Sequence, residues 1–285
     1  MAHDVTGVTE GAALIPELWT NSVADYMQNL VGLVNMVEDY SSLVSGTARK
    51  GDVIHVPSFP KLTAETVAEN ATIEAQAVTV TDNSITLNQH FTCVFDIEDI
   101  AEVQARESLM AAYVHHAGEA LYYAQENYIA GTLLTAATTN DVALATDNTM
   151  TSALFLSGIG KLLTYDVPLP KDSYFAASPL TYVSLISLAE MNAYEKTGAA
   201  GSKVVSVHGY EIPLYSSTCW DQAGGANAEA ASMWHKSAVG FARQQEPSFM
   251  SSNKPRTLSI EAAVSAIYGG TLFFEERVAN WVQLT

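Results

Sequence analysis

The sequence predicts an α+β fold on three observations. From Ser108 to Leu134 apolar residues recur at helical spacing. From Ile85 to Ile97 apolar and polar residues alternate as in a half-buried strand. The helical and extended segments follow one another in mixed order, without a βαβ repeat.

Residues 1–11 are polar and Gly-containing, and are expected to form a mobile arm. In "IPELWTNSVADYMQNLVGLVNMV" the residues Leu18, Trp19, Val23, Met27, Leu30, Val31 and Val34 fall at helical spacing, with Pro16 suited to a first turn. "GTARKGDVIHVPSFP" reads as a turn over Gly46–Gly51, a short strand Val53–Val56 and prolines that end it.

"AETVAENATIEAQAVTV", residues 64–80, has three Val, one Ile and five Ala, and no Leu, aromatic, Gly or Pro. Val, Ile and Thr favour an extended chain, yet little here can be buried. A loop this long is either disordered or functional, and its own residues leave open what would order it. The alternation of Ile85, Leu87, Phe91, Cys93, Phe95 and Ile97 follows. The two flanking strands therefore read as the legs of a protruding hairpin.

In the long helix, Leu109, Tyr113, Ala117, Ala120, Leu121, Ala124 and Tyr128 form one face. It would run about 40 Å, a spine for the whole subunit. After a polar loop (Thr138–Thr149), "SALFLSGIGKLL" reads as a helix, "SYFAAS" as a buried strand and "PLTYVSLISLAEM" as a helix starting at Pro179. "KVVSVHGYEIPLYSS" reads as two strands about a turn at Gly209. "SMWHKSAVGFARQ", "LSIEAAVSAIYGG" and "TLFFEERVANWVQL" are mostly strand-like.

Apolar residues make up 48% of the 285 and charged residues 15%, which excludes a disordered polyelectrolyte. So little charge on so apolar a chain suggests that much of the surface is covered by something else, with partner subunits the obvious candidate and a compact monomer the alternative. The net charge of −18 argues against a protein built to grip nucleic acid, because phosphate binding needs clustered cations. The densest cation cluster is Arg49-Lys50. Cys93 and Cys219 lack any metal or disulfide pattern and read as buried thiols. The N-terminal sequence lacks the pattern of a signal peptide, and no apolar run is long enough to span a membrane. A soluble chain made in a cytoplasm is expected.

Enzyme-like fragments do not combine. "SSNK" at Ser251–Lys254 and "KTG" at Lys196–Gly198 imitate serine β-lactamase motifs in reversed order, with Pro255 against the required helix. "GIGK" at Gly158–Lys161 lacks P-loop spacing. "HHAGE" puts His115, His116 and Glu119 within one helical turn, but spacing supplies no further ligand. His3, His55, His90, His208 and His235 lie in separate elements, and the sequon Asn70-Ala71-Thr72 has no role without secretion. No catalytic residue, no cofactor and no metal site is expected.

Taken in order, "IPELW", "GDVIHVPSFP", "ITLNQHFTCVFDIEDIAEVQA" and "AQENYIAGTLL" resemble the major capsid proteins of tailed bacteriophages, the Hong Kong 97-like fold. "FAASPLTYVSLISL", "VHGYEIPLYSS", "WHKSAVGFARQQEP" and "IYGGTLFFEERVA" extend the likeness over nearly the whole chain. The family often places an acid in the spine helix where this chain has Gln125-Glu126-Asn127.

The resemblance implies an N-terminal arm and helix (1–46), an extended β-hairpin loop (47–96), a peripheral domain with the spine helix (97–150, rejoined by 255–285) and an axial domain (151–254). It implies self-assembly of hexamers and pentamers into an icosahedral shell around double-stranded DNA, which is enclosed without sequence-specific binding. The hairpin would lie across a neighbouring copy, and Lys61, Glu65, Glu69 and Glu74 are its candidate intersubunit contacts. Hinge and shear motions would let a procapsid expand. Expected partners are a portal protein, a decoration or cement protein and, since the first helix starts at Pro16, a separate scaffolding protein. The location would be the virion capsid, assembled in the bacterial host cytoplasm. An encapsulin-type nanocompartment shell and a soluble α+β enzyme are the alternative readings.

Overall fold

The computed structural model describes residues 32–44, 52–59, 62, 64, 66, 67, 69, 75–98, 109–144, 149–169, 171–188, 204–207, 210–216 and 229–283. The expected arm, most of the N-terminal helix, Cys219, Lys61, Glu65 and Glu74 lie outside the described residues.

Four strands make one sheet in the order β1 (Glu38–Asp39), β10 (Val239–Lys254), β11 (Ser259–Leu272), β4 (Gln89–Glu98). Six make a second: β5 (Val142–Leu144), β12 (Val278–Gln283), β9 (Glu229–His235), β6 (Ser173–Ala177), β8 (Tyr210–Ser216), β7 (Val204–Val207). A two-stranded ribbon, β2 (Val53–Ser58) with β3 (Thr81–Thr86), stands apart. Among the described residues three α-helices accompany these sheets, an α+β arrangement, as the mixed element order predicts.

The long helix α1 runs Leu109–Tyr128 and continues as a π-helical segment Ile129–Leu134. It lies on one face of the first sheet. Val114, Ala117 and Leu121 pack there against Phe249, Ala262 and Val264, with Phe91, Cys93 and Phe95 at the margin. Cys93, expected to be buried, is half-buried at this margin.

The buried stripe of α1 keeps Ala117, Leu121 and Tyr128 of the expected face and differs from it elsewhere. Val114, Gly118, Leu121, Tyr122, Gln125 and Glu126 are inside, whereas Tyr113 and Ala120 are exposed. Two polar residues turn the face, since the Glu126 carboxylate accepts the Leu33 amide at 2.5 Å. A buried acid of this kind is tolerated because it is hydrogen-bonded. Tyr113 instead stacks on Phe95 at 5.5 Å between ring centroids.

Glu126 holds the segment entering the fold, where Leu33–Met36 forms a 3-10 turn rather than the end of a regular α-helix. Trp234 Nε1 donates to the Met36 carbonyl at 3.0 Å, and the Tyr40 amide donates to the Phe241 carbonyl at 2.8 Å. Leu33, Val34, Met36 and Val37 thereby join Ile129, Leu133, Leu134, Phe241 and Tyr268 in a junction core between the sheets. Asn280 Nδ2 reaches the carbonyls of Leu134 (3.0 Å) and Ala137 (2.7 Å), tying the end of the spine to β12.

The second sheet has its own core. Helix α2 (Ser152–Thr164) is capped by Thr151, whose side chain accepts from the Leu154 amide. It lays Phe155, Gly158, Ile159 and Leu162 inward. Phe155, Phe175 and Trp281 form an aromatic cluster with ring centroids 5.4–6.1 Å apart. Gly158 is needed there, because a Cβ would stand 2.2 Å from the Trp281 ring. Helix α3 (Pro179–Ile186) starts with Ser178 as cap and Pro179 in its first turn.

The chain crosses from the second sheet to the first at Lys236–Ala238, and returns at Glu275–Arg277. Strand β10 pairs with β11 along its length, from Val239↔Leu272 to Lys254↔Ser259. Pro247 sits in a register shift between Gln245 and Ser248, where a missing amide costs no ladder bond.

Two buried tyrosines 5.6 Å apart differ in satisfaction. Tyr128 Oη bridges the Gly270 carbonyl and amide, both at 3.2 Å. Tyr268 Oη is fully buried with no hydrogen-bond partner among the described residues, and burial pushes its phenol well above the ordinary range. Tyr128→Phe is therefore expected to cost about 1–2 kcal/mol, and Tyr268→Phe to leave stability unchanged or raise it by about 1 kcal/mol. Denaturant midpoints read both, and a loss in Tyr268→Phe equal to that in Tyr128→Phe would refute the assignment. At Gly269 a Cβ would stand 2.1 Å from the Thr86 carbonyl oxygen. Gly269→Ala is expected to destabilise by about 2–3 kcal/mol through backbone displacement, whereas Gly131→Ala, which meets nothing within 4 Å, is tolerated.

Candidate assembly surface

The hairpin β2/β3 is built from alternating residues, and its strands pair from Val53↔Thr86 to Ser58↔Thr81. Ile54 and Val56 turn one face toward Ile85, Leu87, Ala242, Val44 and Phe273. The root is fixed by backbone contacts. The Leu87 amide donates to the Asp52 carbonyl at 3.0 Å, and Thr271 Oγ1 donates to the Ser84 carbonyl at 2.8 Å. Beside the root opens a cavity of about 420 Å³, lined by Leu43, Val44, Asp52, Val53, Ile54, His55 and Leu87.

The expected single strand from Ile85 to Ile97 is two strands broken at Leu87-Asn88, one belonging to the hairpin and one to the body. Alternation stays in phase across the break, with Ile85, Leu87 and Ile97 buried.

Beyond Ser58 and Thr81 every described residue of the loop is exposed. Phe59 is 71% and Leu62 68% exposed, and Val67, Val78 and Val80 are also open. Among the described residues the hairpin strands pair only with each other, which leaves both backbone edges open. Of the charged residues singled out in the loop, Glu69 is exposed in a turn; Lys61, Glu65 and Glu74 fall outside the described residues.

The sequence reading passed over other open apolar positions. Leu180, Val183 and Ile186 line the outer side of α3, opposite buried Thr181 and Leu185. Leu156 and Leu163 do the same on α2. In the first sheet, Val94 and Met250 are both registered on Ala263, and so stand in one row on the face away from α1. Contiguous open apolar residues mark contact surfaces more reliably than single ones. On α3 the signal was available: a segment apolar on all sides has no side meant for water.

Two polar arrangements have chemical possibilities. His235 Nδ1 lies 2.8 Å from Ser237 Oγ and accepts from the Ser237 amide, capping the turn between β9 and β10. Arg277 donates to the same hydroxyl. Burial, and then the Arg277 charge, hold the imidazole below its ordinary pKa, against the opposing pull of Asp172 and Glu38. The arrangement is that of a cap rather than of an activated nucleophile. The second is His115, His116 and Glu119, whose donor atoms lie within 4.8 Å of one another.

No family model and no curated protein matches the chain. Solved structures do. A chain of Mycobacterium phage Che8 is 19% identical, with TM-score 0.65 over 88% of this chain and 91% of that one. One from the capsid of cyanophage P-SCSP1u is 14% identical, with TM-score 0.65 over 88% and 87%. One from the capsid of a native GTA particle is 10% identical, with TM-score 0.66 over 89% and 90%. Sharing its architecture with these chains along most of its length, the protein has the Hong Kong 97-like fold of phage capsids.

Proposed function

We propose that the chain is a major capsid protein that self-assembles into the icosahedral shell enclosing the double-stranded DNA genome of a tailed bacteriophage. What carries the reading is a hairpin rooted in the body of the fold whose outer part is exposed on its own chain, within an architecture shared with phage capsid chains. The role is structural, not enzymatic.

In this mechanism the hairpin lies across a neighbouring copy, which supplies the burial that its own domain lacks. Covering a side chain such as Phe59 or Leu62 is worth roughly 1.5–3 kcal/mol. The gain recurs at every equivalent contact of a closed shell. Hexamers and pentamers form with the axial domain (151–254) about their centres and the peripheral domain at their edges. The open faces of α2 and α3 then meet neighbouring axial domains. Lys61, Glu65, Glu69 and Glu74 make polar contacts around the apolar ones. The charge of −18 favours an inner wall that holds DNA without binding its sequence. Scaffolding, portal and decoration proteins complete the particle, which is assembled in the host cytoplasm.

Negative-stain electron microscopy of the chain, expressed alone and with its genomic neighbours, is expected to show closed shells or rings of five and six. Small featureless particles under every condition would count against the reading. The double variant Phe59→Ser, Leu62→Ser is expected to keep its unfolding midpoint within about 0.5 kcal/mol, since both residues are exposed. It should form shells poorly or not at all. Shells at the wild-type yield would remove the loop from the interface.

A further inference from the structure

Apart from the hairpin, the middle of α1 carries a cluster that packing does not explain. We propose that His115, His116 and Glu119 form a binding site for a divalent transition-metal ion, with Zn²⁺ as the fitting member. The site is complete within one chain and does not rest on the assembly reading.

One donor atom from each residue lies within 4.8 Å of the others. His116 Nδ1 is already 3.5 Å from Glu119 Oε2, and the two imidazole rings stand at 89° with centroids 5.8 Å apart. Glu119 follows His115 by four positions and His116 by three, so all three leave the helix on adjoining sides of one turn. The turn is held from beneath by buried Val114, Ala117 and Leu121, which pack on the sheet. The backbone is therefore fixed before any ion arrives, and ligation needs side-chain rotations only.

An ion with bonds of about 2.0–2.1 Å holds tetrahedral donors roughly 3.3 Å apart. The present spread must contract by roughly 1.5 Å, within reach of imidazole and carboxylate torsions. Two nitrogens and one oxygen disfavour Mg²⁺ and Ca²⁺, which take oxygen ligands, and favour Zn²⁺, Ni²⁺ or Cu²⁺. Three protein donors leave a fourth position. His115 and His116 are exposed, so water reaches it. The His116–Glu119 contact is exposed and of little worth to stability, and nothing in the packing of α1 requires it.

The test is calorimetric titration of Zn²⁺ into the full chain without a histidine tag, in whichever assembly state it is purified. One equivalent per chain with micromolar affinity is expected. His116→Ala and Glu119→Gln should each weaken it at least about tenfold, as ligand loss does. His90→Ala, an exposed histidine on β4, serves as the control and should leave it unchanged. Unfolding midpoints without metal should match the wild type in all variants. The proposal is overturned by the absence of saturable binding, by a site that neither His116→Ala nor Glu119→Gln moves, or by one that Glu119→Gln leaves intact. Because binding is read on the chain itself, failure to form shells would leave this result standing, and the reverse is also true.

Discussion

The close approach of two backbones, at Gly269 against Thr86, is the constraint on which the use of this fold depends. Strand β11 lies directly on the junction of the hairpin with β4, and only a residue without a Cβ permits it. The Leu87–Asp52 and Thr271–Ser84 hydrogen bonds and the burial of Ile85 and Leu87 then fix the hairpin's angle to the body. Each leg has six paired residues, about 20 Å of ladder. The hairpin strands thus form a short ladder packed on the body at its root.

Much of this was legible in the sequence because it rests on local periodicity. The α+β class, the spine helix, α2, α3 and the order of the strands follow from the spacing of apolar residues and from Pro, Gly and Ser at the ends. Two features were not legible, for one reason: each is set by a partner far away in the chain. The buried face of α1 takes in Glu126, which satisfies an amide 93 positions earlier, and no pattern of apolar residues records that. The break at Leu87-Asn88 leaves alternation in phase, so the periodicity hides a change of sheet.

The assembly surface was harder to read. Charged loop residues draw the eye in a chain with few charges, yet the described geometry points to Phe59, Leu62 and the open side of α3. Whether an apolar residue is exposed is a property of what surrounds it, and a segment such as "PLTYVSLI" reads the same whether its outer side meets its own domain or another copy.

Charge and exposure together constrain how copies of this chain can meet. Each copy carries −18, so approach is opposed by a repulsion that extends only over the Debye length, about 8 Å at physiological ionic strength. Apolar contacts act at shorter range and only once water is expelled. A hairpin that projects its apolar residues beyond the body reaches a neighbour while most of the charged surface is still screened. Open edges and exposed Val, Leu and Phe would by themselves invite promiscuous pairing. The shared negative charge suppresses it until the geometry is right for many contacts at once. In the proposed shell, repulsion and projection would act together: the first would keep free subunits apart, and the second would let a complementary neighbour through.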